Sequence, residues 1–262
     1  MEPVKLHILG SGSSGNCALL RAAGTRVLID AGITRRKLEA LLAASGESVD
    51  AIDAIFITHE HADHIYGLGG FKKSPRVKVF ANASTAAGAQ KSLKHRPLWQ
   101  LFETGDRFRF RDIAVETFSV PHDAADPVGY TFSVGRPGGA EFRLAWLPDM
   151  GHAPAHIHER IRDVDVLAVE SNHCPQLLRD NPNRPWSLKQ RISGRHGHLS
   201  NEGVCELLGA VASPRWRHVF LTHLSGECNT PEAVSLAIEP LRGRLSCRFT
   251  IATAAGAESC EF

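Results

Sequence analysis

The segment Thr58-His59-Glu60-His61-Ala62-Asp63-His64 follows directly on the apolar run Ala54 to Ile57, and it constrains this chain more than any other feature. Three imidazoles and the Asp63 carboxylate fall within six residues. On a helix, side chains at i and i+2 point apart, so His59 and His61 would not converge there. On a turn leaving a strand, alternate residues converge, while Asp63 and His64 are left to serve a neighbouring centre. Ala54 to Ile57 has the length and apolar character of a buried strand, so the second arrangement is the one expected. Neutral imidazole together with carboxylate suits zinc, manganese or iron, and no cysteine stands nearby as a Cys-rich structural zinc site requires.

The surrounding pattern is one of short strands with helices interspersed. Val4 to Leu9 reads as a strand, Gly10 to Gly15 as a loop, and Arg26 to Ile29 as a strand that ends at Asp30. Thr34 opens an amphipathic helix with Leu38, Leu41 and Leu42 on one face and Arg35, Arg36 and Glu39 on the other. Val77 to Phe80, Arg107 to Phe110, Ile113 to Phe118, Gly129 to Val134, Phe142 to Leu147, Val166 to Val169 and Val219 to Leu221 carry the β-branched and aromatic content of further strands. Asn201 to Val211 reads as a helix, as does Pro231 to Leu241, with Thr230 as its N-cap and Pro231 in its first turn. Runs of strands with interspersed helices point to a layered α/β sandwich and not to a doubly wound sheet.

Composition sets the outer limits. The 262 residues are 43% hydrophobic and 22% charged, enough for a sizeable core and far from a disordered or collagen-like chain. Thirty basic against 28 acidic side chains leave a net charge of +2, so any basic surface must be local. No stretch approaches the roughly 18–20 apolar residues of a membrane helix, and no secretory signal is visible at Met1 to Lys5. The six cysteines form no C-x-x-C pair; free thiols in a reducing cytoplasm are the expectation. Gly10-x-Gly12-x-x-Gly15 matches a dinucleotide fingerprint formally, but the interval from Gly15 to the strand at Arg26 is too short for the crossover helix. No nicotinamide cofactor is therefore expected. A tight loop at the rim of the site, with Ser13 and Ser14 and the backbone N–H groups open to substrate, is the better reading.

The H-x-H-x-D-H pattern does not stand alone. Asp30 ends Val27-Leu28-Ile29, His122 sits in Pro121-His122-Asp123, Asp149 in Leu147-Pro148-Asp149, and His223 in Leu221-Thr222-His223-Leu224-Ser225. In this order the set resembles that of the metallo-β-lactamase-fold hydrolases. The resemblance implies an αββα sandwich, spanning residues 1–262 as one domain, with a metal site along one edge of two sheets. It implies that His59, His61 and His122 hold one divalent metal and that Asp63, His64 and His223 hold a second. Asp149 would lie between them, and Asp30 would orient ligands from behind. Asp63 counts with the catalytic residues on this reading. Two metals about 3.5–4 Å apart activate a shared water and clamp the attacked centre, which suits phosphodiesters, esters, thioesters and lactams alike.

Glu170-Ser171-Asn172-His173 and Gly197-His198-Leu199-Ser200 resemble the phosphodiesterase branch of that superfamily, the tRNA 3′-processing enzymes especially. That similarity implies His198 as the proton donor to the leaving oxygen, with Glu170 fixing its tautomer and raising its pKa. His173 is open between a place beside the ligands, a substrate contact and a structural role. Gly10-Ser11-Gly12-Ser13-Ser14-Gly15-Asn16-Cys17, Asp126-Pro127-Val128-Gly129-Tyr130, Leu188-Lys189-Gln190-Arg191-Ile192-Ser193-Gly194 and His198-Leu199-Ser200-Asn201-Glu202 extend the match. Together they resemble the YycJ-like (WalJ-like) subgroup over about residues 5–235, departing at Cys228-Asn229, where two asparagines are expected. The subgroup implies 5′→3′ exonuclease activity on DNA, with repair proteins as partners.

Residues 174–197 carry Arg179, Arg184, Lys189, Arg191 and Arg195 against Asp180 alone, in a Pro- and Gly-broken segment next to His198. One reading is a phosphate-tracking groove in which Lys189 and Arg191 meet the strand and Trp186 stacks on a base; the other is a solvated loop with its tryptophan pinned into the core. Lys91 to Trp99 has the same two readings. The interval from Asp149 to His223 is too short for the inserted domain of the RNA-cleaving and crosslink-repair branch. Hydrolysis of a small phosphodiester, thioester or lactone, and a regulatory metal-binding module without turnover, are the alternatives to a nuclease.

Overall fold

The structure is a computed structural model describing residues 3–139, 141–257 and 259–262, and its strands pair into two seven-stranded sheets. The first takes β1 (Lys5–Gly10), β2 (Cys17–Ala22), β3 (Thr25–Ile29), β4 (Ala54–Phe56), β5 (Lys78–Asn82) and β6 (Leu98–Phe102) side by side in chain order. The second does the same with β7 (Arg107–Phe110), β8 (Ile113–Ser119), β9 (Val128–Gly135), β10 (Glu141–Leu147), β11 (Val166–Glu170), β12 (His218–Thr222) and β13 (Arg248–Ile251). A short β14 (Cys260–Glu261) returns to the free edge of β1. Strands β3 to β6 run parallel, as do β10 to β13.

Side-chain alternation along these strands produces three apolar layers, as four stacked layers of structure require. In β4, Phe56 points between the sheets while Ile55 points the other way, and Ile57 follows Ile55. Phe56 stacks on Phe80 at 4.6 Å between centroids and meets Tyr130 and Phe132 edge-on. Each such buried ring contributes about 1.5–3 kcal/mol. The outer face of the first sheet is covered by α1 (Arg35–Ala44), through Leu38 and Leu42, and by α3 (Ala83–Gln90), through Ala86 and Ala89. The outer face of the second is covered by α4 (Ala155–Arg162), α7 (Asn201–Val211) and α8 (Pro231–Arg242). The αββα order expected from the sequence is the order found. The caps are also those expected: Thr34 accepts from the Lys37 N–H at 3.2 Å and Thr230 from the Ala233 N–H at 3.1 Å.

The structure adds elements that the sequence pattern did not signal, among them β2, β6, β13, α3 and α4. Strand β2 follows Gly15 where a dinucleotide fingerprint needs a helix. The segment read as broken by Pro and Gly folds into α5 (Pro175–Asp180), which opens on a proline, and α6 (Trp186–Ile192), which opens just after Pro185. The basic run Lys91 to Trp99 lies on the outer side of the first sheet, where Trp99 packs against the core and donates its indole N–H to Gln90 at 3.2 Å. No helix among the described residues is long and apolar enough to cross a membrane.

Candidate metal centre

Strands β3 and β4 of the first sheet and β8, β10, β11 and β12 of the second end at a common edge. Asp30 follows β3, His59 and His61 follow β4, His122 follows β8, Asp149 follows β10, Glu170 closes β11 and His223 follows β12. Parallel strands deliver side chains to one place in this way because every carboxyl end faces the same crevice. Asp30 and His223 both stand at positive φ, 58° and 55°, a conformation that non-glycine residues hold only under tertiary constraint. The constraint is visible: the Asp30 N–H donates to Phe56 O at 2.8 Å, and the His223 N–H to the Ser11 hydroxyl at 2.6 Å.

His59, His61 and His122 form one cluster. The exit from β4 is locked by the Tyr130 hydroxyl donating to Ile57 O at 2.6 Å and the Val128 N–H donating to Thr58 O at 3.0 Å. The Thr58 hydroxyl donates to Asp30, 2.9 Å away, and so accepts from Nδ1 of His59 at 3.0 Å. This places the His59 lone pair on Nε2, which is buried and has no hydrogen-bond partner among the described residues. His122 donates from Nδ1 to Gly197 O at 2.8 Å, which leaves its Nε2 facing Nδ1 of His61 at 3.3 Å. Two ligands of one ion, bonded at about 2.1 Å with tetrahedral angles, lie about 3.4 Å apart. Burial, with the neighbouring His64, holds the His59 pKa well below its ordinary value, so its imidazole is neutral, as a ligand must be.

Asp63, His64, Asp149 and His223 form the second cluster. A short helix, α2 (Ala62–Ile65), starts at His61 and presents Asp63 and His64 from its first turn. His64 donates from Nδ1 to Asp30 Oδ2 at 2.8 Å, leaving Nε2 toward Asp149 Oδ2 at 3.5 Å and Asp63 Oδ2 at 3.7 Å. His223 reaches Asp63 Oδ2 with Nε2 at 3.1 Å and Asp149 Oδ1 with Nδ1 at 3.0 Å. The second approach lacks hydrogen-bond geometry, so Asp149 Oδ1 is left without a hydrogen-bond partner among the described residues. Asp149 Oδ2 is 3.8 Å from Nε2 of both His59 and His122. One carboxylate oxygen thus stands between the two clusters. Burial opposes charge on Asp149, but His223 and His64 outweigh it and hold its pKa well below the usual range. Burial likewise opposes protonation of His223, yet Asp149, Asp63 and Glu170 push it up to about 10. Orphaned lone pairs on buried His59 and Asp149, and acids packed among imidazoles, are costly unless something binds them. The donor set fits divalent cations.

Glu170 and His198 stand against the second cluster. Glu170 is fully buried and spends both oxygens, Oε1 accepting from the Leu199 N–H at 2.7 Å and Oε2 from Nδ1 of His198 at 3.0 Å. Burial lowers the His198 pKa, but Glu170 and then Asp149 more than compensate and raise it above the ordinary value. Asp149, Glu170, His198 and His223 also lie close enough to share an ion, a third grouping that reuses two members of the second. Glu60 turns out of the centre and accepts from the Ala125 N–H at 2.8 Å.

Three polar residues outside the expected ligand set, Thr58, Asn16 and Asn172, sit inside this network. Thr58 joins Asp30 to His59. Asn16 accepts from the Gly12 N–H at 2.8 Å and turns its amide nitrogen to Asp63 Oδ2 at 3.3 Å and His64 Nε2 at 3.1 Å. Asn172 donates to His223 O at 3.0 Å. The glycine loop thereby serves the centre from behind, with Gly12 at φ 118° where a Cβ would lie 2.8 Å from Leu224 O. Ser13 and Ser14 are exposed at its tip. His173 is buried, its pKa pushed down to about 4 by burial, and its Nδ1 has no partner among the described residues. Lys189 donates to Arg179 O at 2.6 Å, and Arg191 pairs with Asp123, the residue after His122. Trp186 is 66% exposed, so it is not pinned into the core.

The family model described as beta-lactamase superfamily domain matches residues 25–224. Exodeoxyribonuclease YycJ of Bacillus anthracis is 33% identical over 233 residues, 88% of this chain and 86% of that protein. Exodeoxyribonuclease WalJ of Streptococcus pneumoniae serotype 2 is 34% identical over 243 residues, 89% of this chain and 86% of that one. In fold, the metallo-beta-lactamase fold protein YhfI from Bacillus subtilis superposes with a TM-score of 0.73 at 14% identity, across 99% of this chain and 100% of that one. The chain therefore belongs to the beta-lactamase superfamily and, within it, to the family of the YycJ and WalJ exodeoxyribonucleases.

Proposed function

We propose that this protein is a two-metal phosphodiesterase acting on nucleic acid, specifically a 5′→3′ exonuclease on DNA. The observation that carries the reading is Asp149 Oδ2 between two clusters, 3.8 Å from Nε2 of His59 and His122 and 3.5 Å from that of His64. His59, His61 and His122 would hold one ion and Asp63, His64 and His223 the other, with Asp149 standing between the two sets. This nitrogen and oxygen set accepts zinc or manganese, and iron as well. When bound, such ions bring the pKa of water toward about 7 and neutralise charge on an attacked phosphoryl group.

The chain's own residues supply the rest. Asp30 and Thr58 hold the tautomers of His64 and His59, so their Nε2 lone pairs face the centre. Glu170 keeps a proton on Nδ1 of His198 and favours the doubly protonated ring, which gives its Nε2 proton to the leaving oxygen. A leaving alkoxide needs that proton, whereas an activated aryl oxide does not. Lys189 and Arg191, with Ser13 and Ser14, are the proposed contacts to the strand. The relatives' names support DNA over RNA, the resemblance in motifs supports the polarity and repair partners, and free cysteines support a reducing cytoplasm.

The test is His198→Ala. It is expected to keep its metal and to lose about 10²–10⁴-fold in turnover of DNA, with a much smaller loss on bis(p-nitrophenyl) phosphate. Equal losses on both substrates would remove His198 from the proton-donor role.

A further inference from the structure

A cavity of about 700 Å³ adjoins the centre, and His198 lines it. It falls within the roughly 300–1,000 Å³ of small-molecule sites. His173 lines it as well, 2% exposed and with Nδ1 unpartnered among the described residues. An unpaired buried ring nitrogen is costly, and no group among the described residues pairs with it. Burial holds this ring neutral, with its pKa at about 4, so it offers one N–H and one lone pair. From α6 Trp186 also lines it, a large aromatic left 66% exposed. Lys189 and Arg179 supply positive charge to the walls, against Glu206 as the acid there.

A flat aromatic surface, a neutral imidazole and two cations beside a phosphodiesterase centre match the chemistry of a nucleotide. Bases stack on indole whatever their sequence, and cations track the backbone. The cavity stands on the His198 side, and His198 protonates the leaving oxygen. We propose that this cavity seats the base of the nucleotide that carries the leaving oxygen, stacked on Trp186 and hydrogen-bonded by His173, a placement that rests on the exonuclease reading above. When the phosphate stays with the remaining strand, that nucleotide is the 5′-terminal one.

The test combines binding and turnover in the metal-loaded protein. Titration with deoxyadenosine 5′-monophosphate is expected to quench tryptophan fluorescence, and Trp186→Ala to abolish the quench. Trp186→Ala is also expected to raise KM for single-stranded DNA by about 5- to 150-fold. A strand whose 5′-terminal nucleotide lacks its base should show a comparable rise in the unaltered protein, and the two losses should not add. Equal KM for intact and abasic ends, or a quench that survives in Trp186→Ala, overturns the proposal while leaving the exonuclease standing. Should no DNA be cleaved, the exonuclease reading fails, and the fluorescence titration alone decides whether the cavity binds a nucleotide.

Discussion

Asp30→Asn exchanges one oxygen for a nitrogen and is expected to weaken both halves of the centre. The carboxylate accepts from the Thr58 N–H at 2.8 Å, from the Thr58 hydroxyl at 2.9 Å and from His64 Nδ1 at 2.8 Å. An asparagine keeps its oxygen for the Thr58 N–H and turns an NH₂ group toward His64, donor against donor. The ring escapes only by moving its proton to Nε2, which removes the lone pair that faces Asp63 and Asp149. A hydrogen bond to a charged group contributes about 1.5–3 kcal/mol, which corresponds to about 10- to 100-fold in metal affinity, the range typical of residues that orient metal ligands. Thr58→Val removes the hydroxyl bonds to Asp30 and His59 together but leaves the Asp30 charge and the His64 tautomer in place, so it is expected to weaken chiefly the ion held by His59. Competition with a metal-sensitive chelator reads both affinities, and thermal unfolding of the metal-free variants separates folding from binding. An Asp30→Asn protein that binds both ions within about threefold of the parent, well below that range, would refute the tautomer argument.

Two further outcomes follow from burial and packing. His173 and His218 both have pKa values of about 4 in the folded chain, burial being the main cause, against 6.5 when unfolded. Below pH 6.5 the unfolded chain takes up protons that these rings refuse until about pH 4, so stability falls across that window, by about 3 kcal/mol for His173 and less for His218. Urea unfolding at pH 7, 6 and 5 is expected to show this fall, and His218→Gln to flatten part of it; identical slopes would contradict the assignment. Gly32 has no room for a side chain, since a Cβ would lie 1.6 Å from Asp63 O, whereas Gly24 has nothing within 4 Å. Gly32→Ala is expected to cost more than about 3 kcal/mol and to displace Asp63, and Gly24→Ala to change the melting temperature little; a stable Gly32→Ala protein with unaltered metal binding would contradict that geometry.

The sequence showed β4, β11 and β12 because both faces of each are buried, so they read as apolar runs, and β8 and β10 by their β-branched and aromatic content. It did not show β2, whose Cys-Ala-Leu-Leu-Arg-Ala lacks β-branched and aromatic residues, or α3, whose small side chains carry no amphipathic stripe. Proline at the entries of α5 and α6 looks the same in a sequence as proline in a loop. The order of His59, His61, Asp63, His64, His122, Asp149 and His223 was legible, and the structure brings these seven together with Asp30, Glu170 and His198. The part played by Thr58, Asn16 and Asn172 was not legible, because a hydrogen bond between residues 28 to 51 positions apart leaves no local pattern. Trp186 and Trp99 look alike in sequence; only packing separates the exposed indole from the half-buried one.

The central claim is tested most directly by incubating metal-loaded protein with end-labelled single-stranded DNA, duplex DNA and RNA, with zinc or manganese, a chelator control and the His61→Ala variant alongside. Stepwise loss from 5′ ends of DNA that disappears with chelator and with His61→Ala, the variant also failing to retain metal, is the result expected. Intact polymers under every condition, with turnover only of a small aryl phosphodiester, would contradict the exonuclease and leave a competent centre for a small substrate.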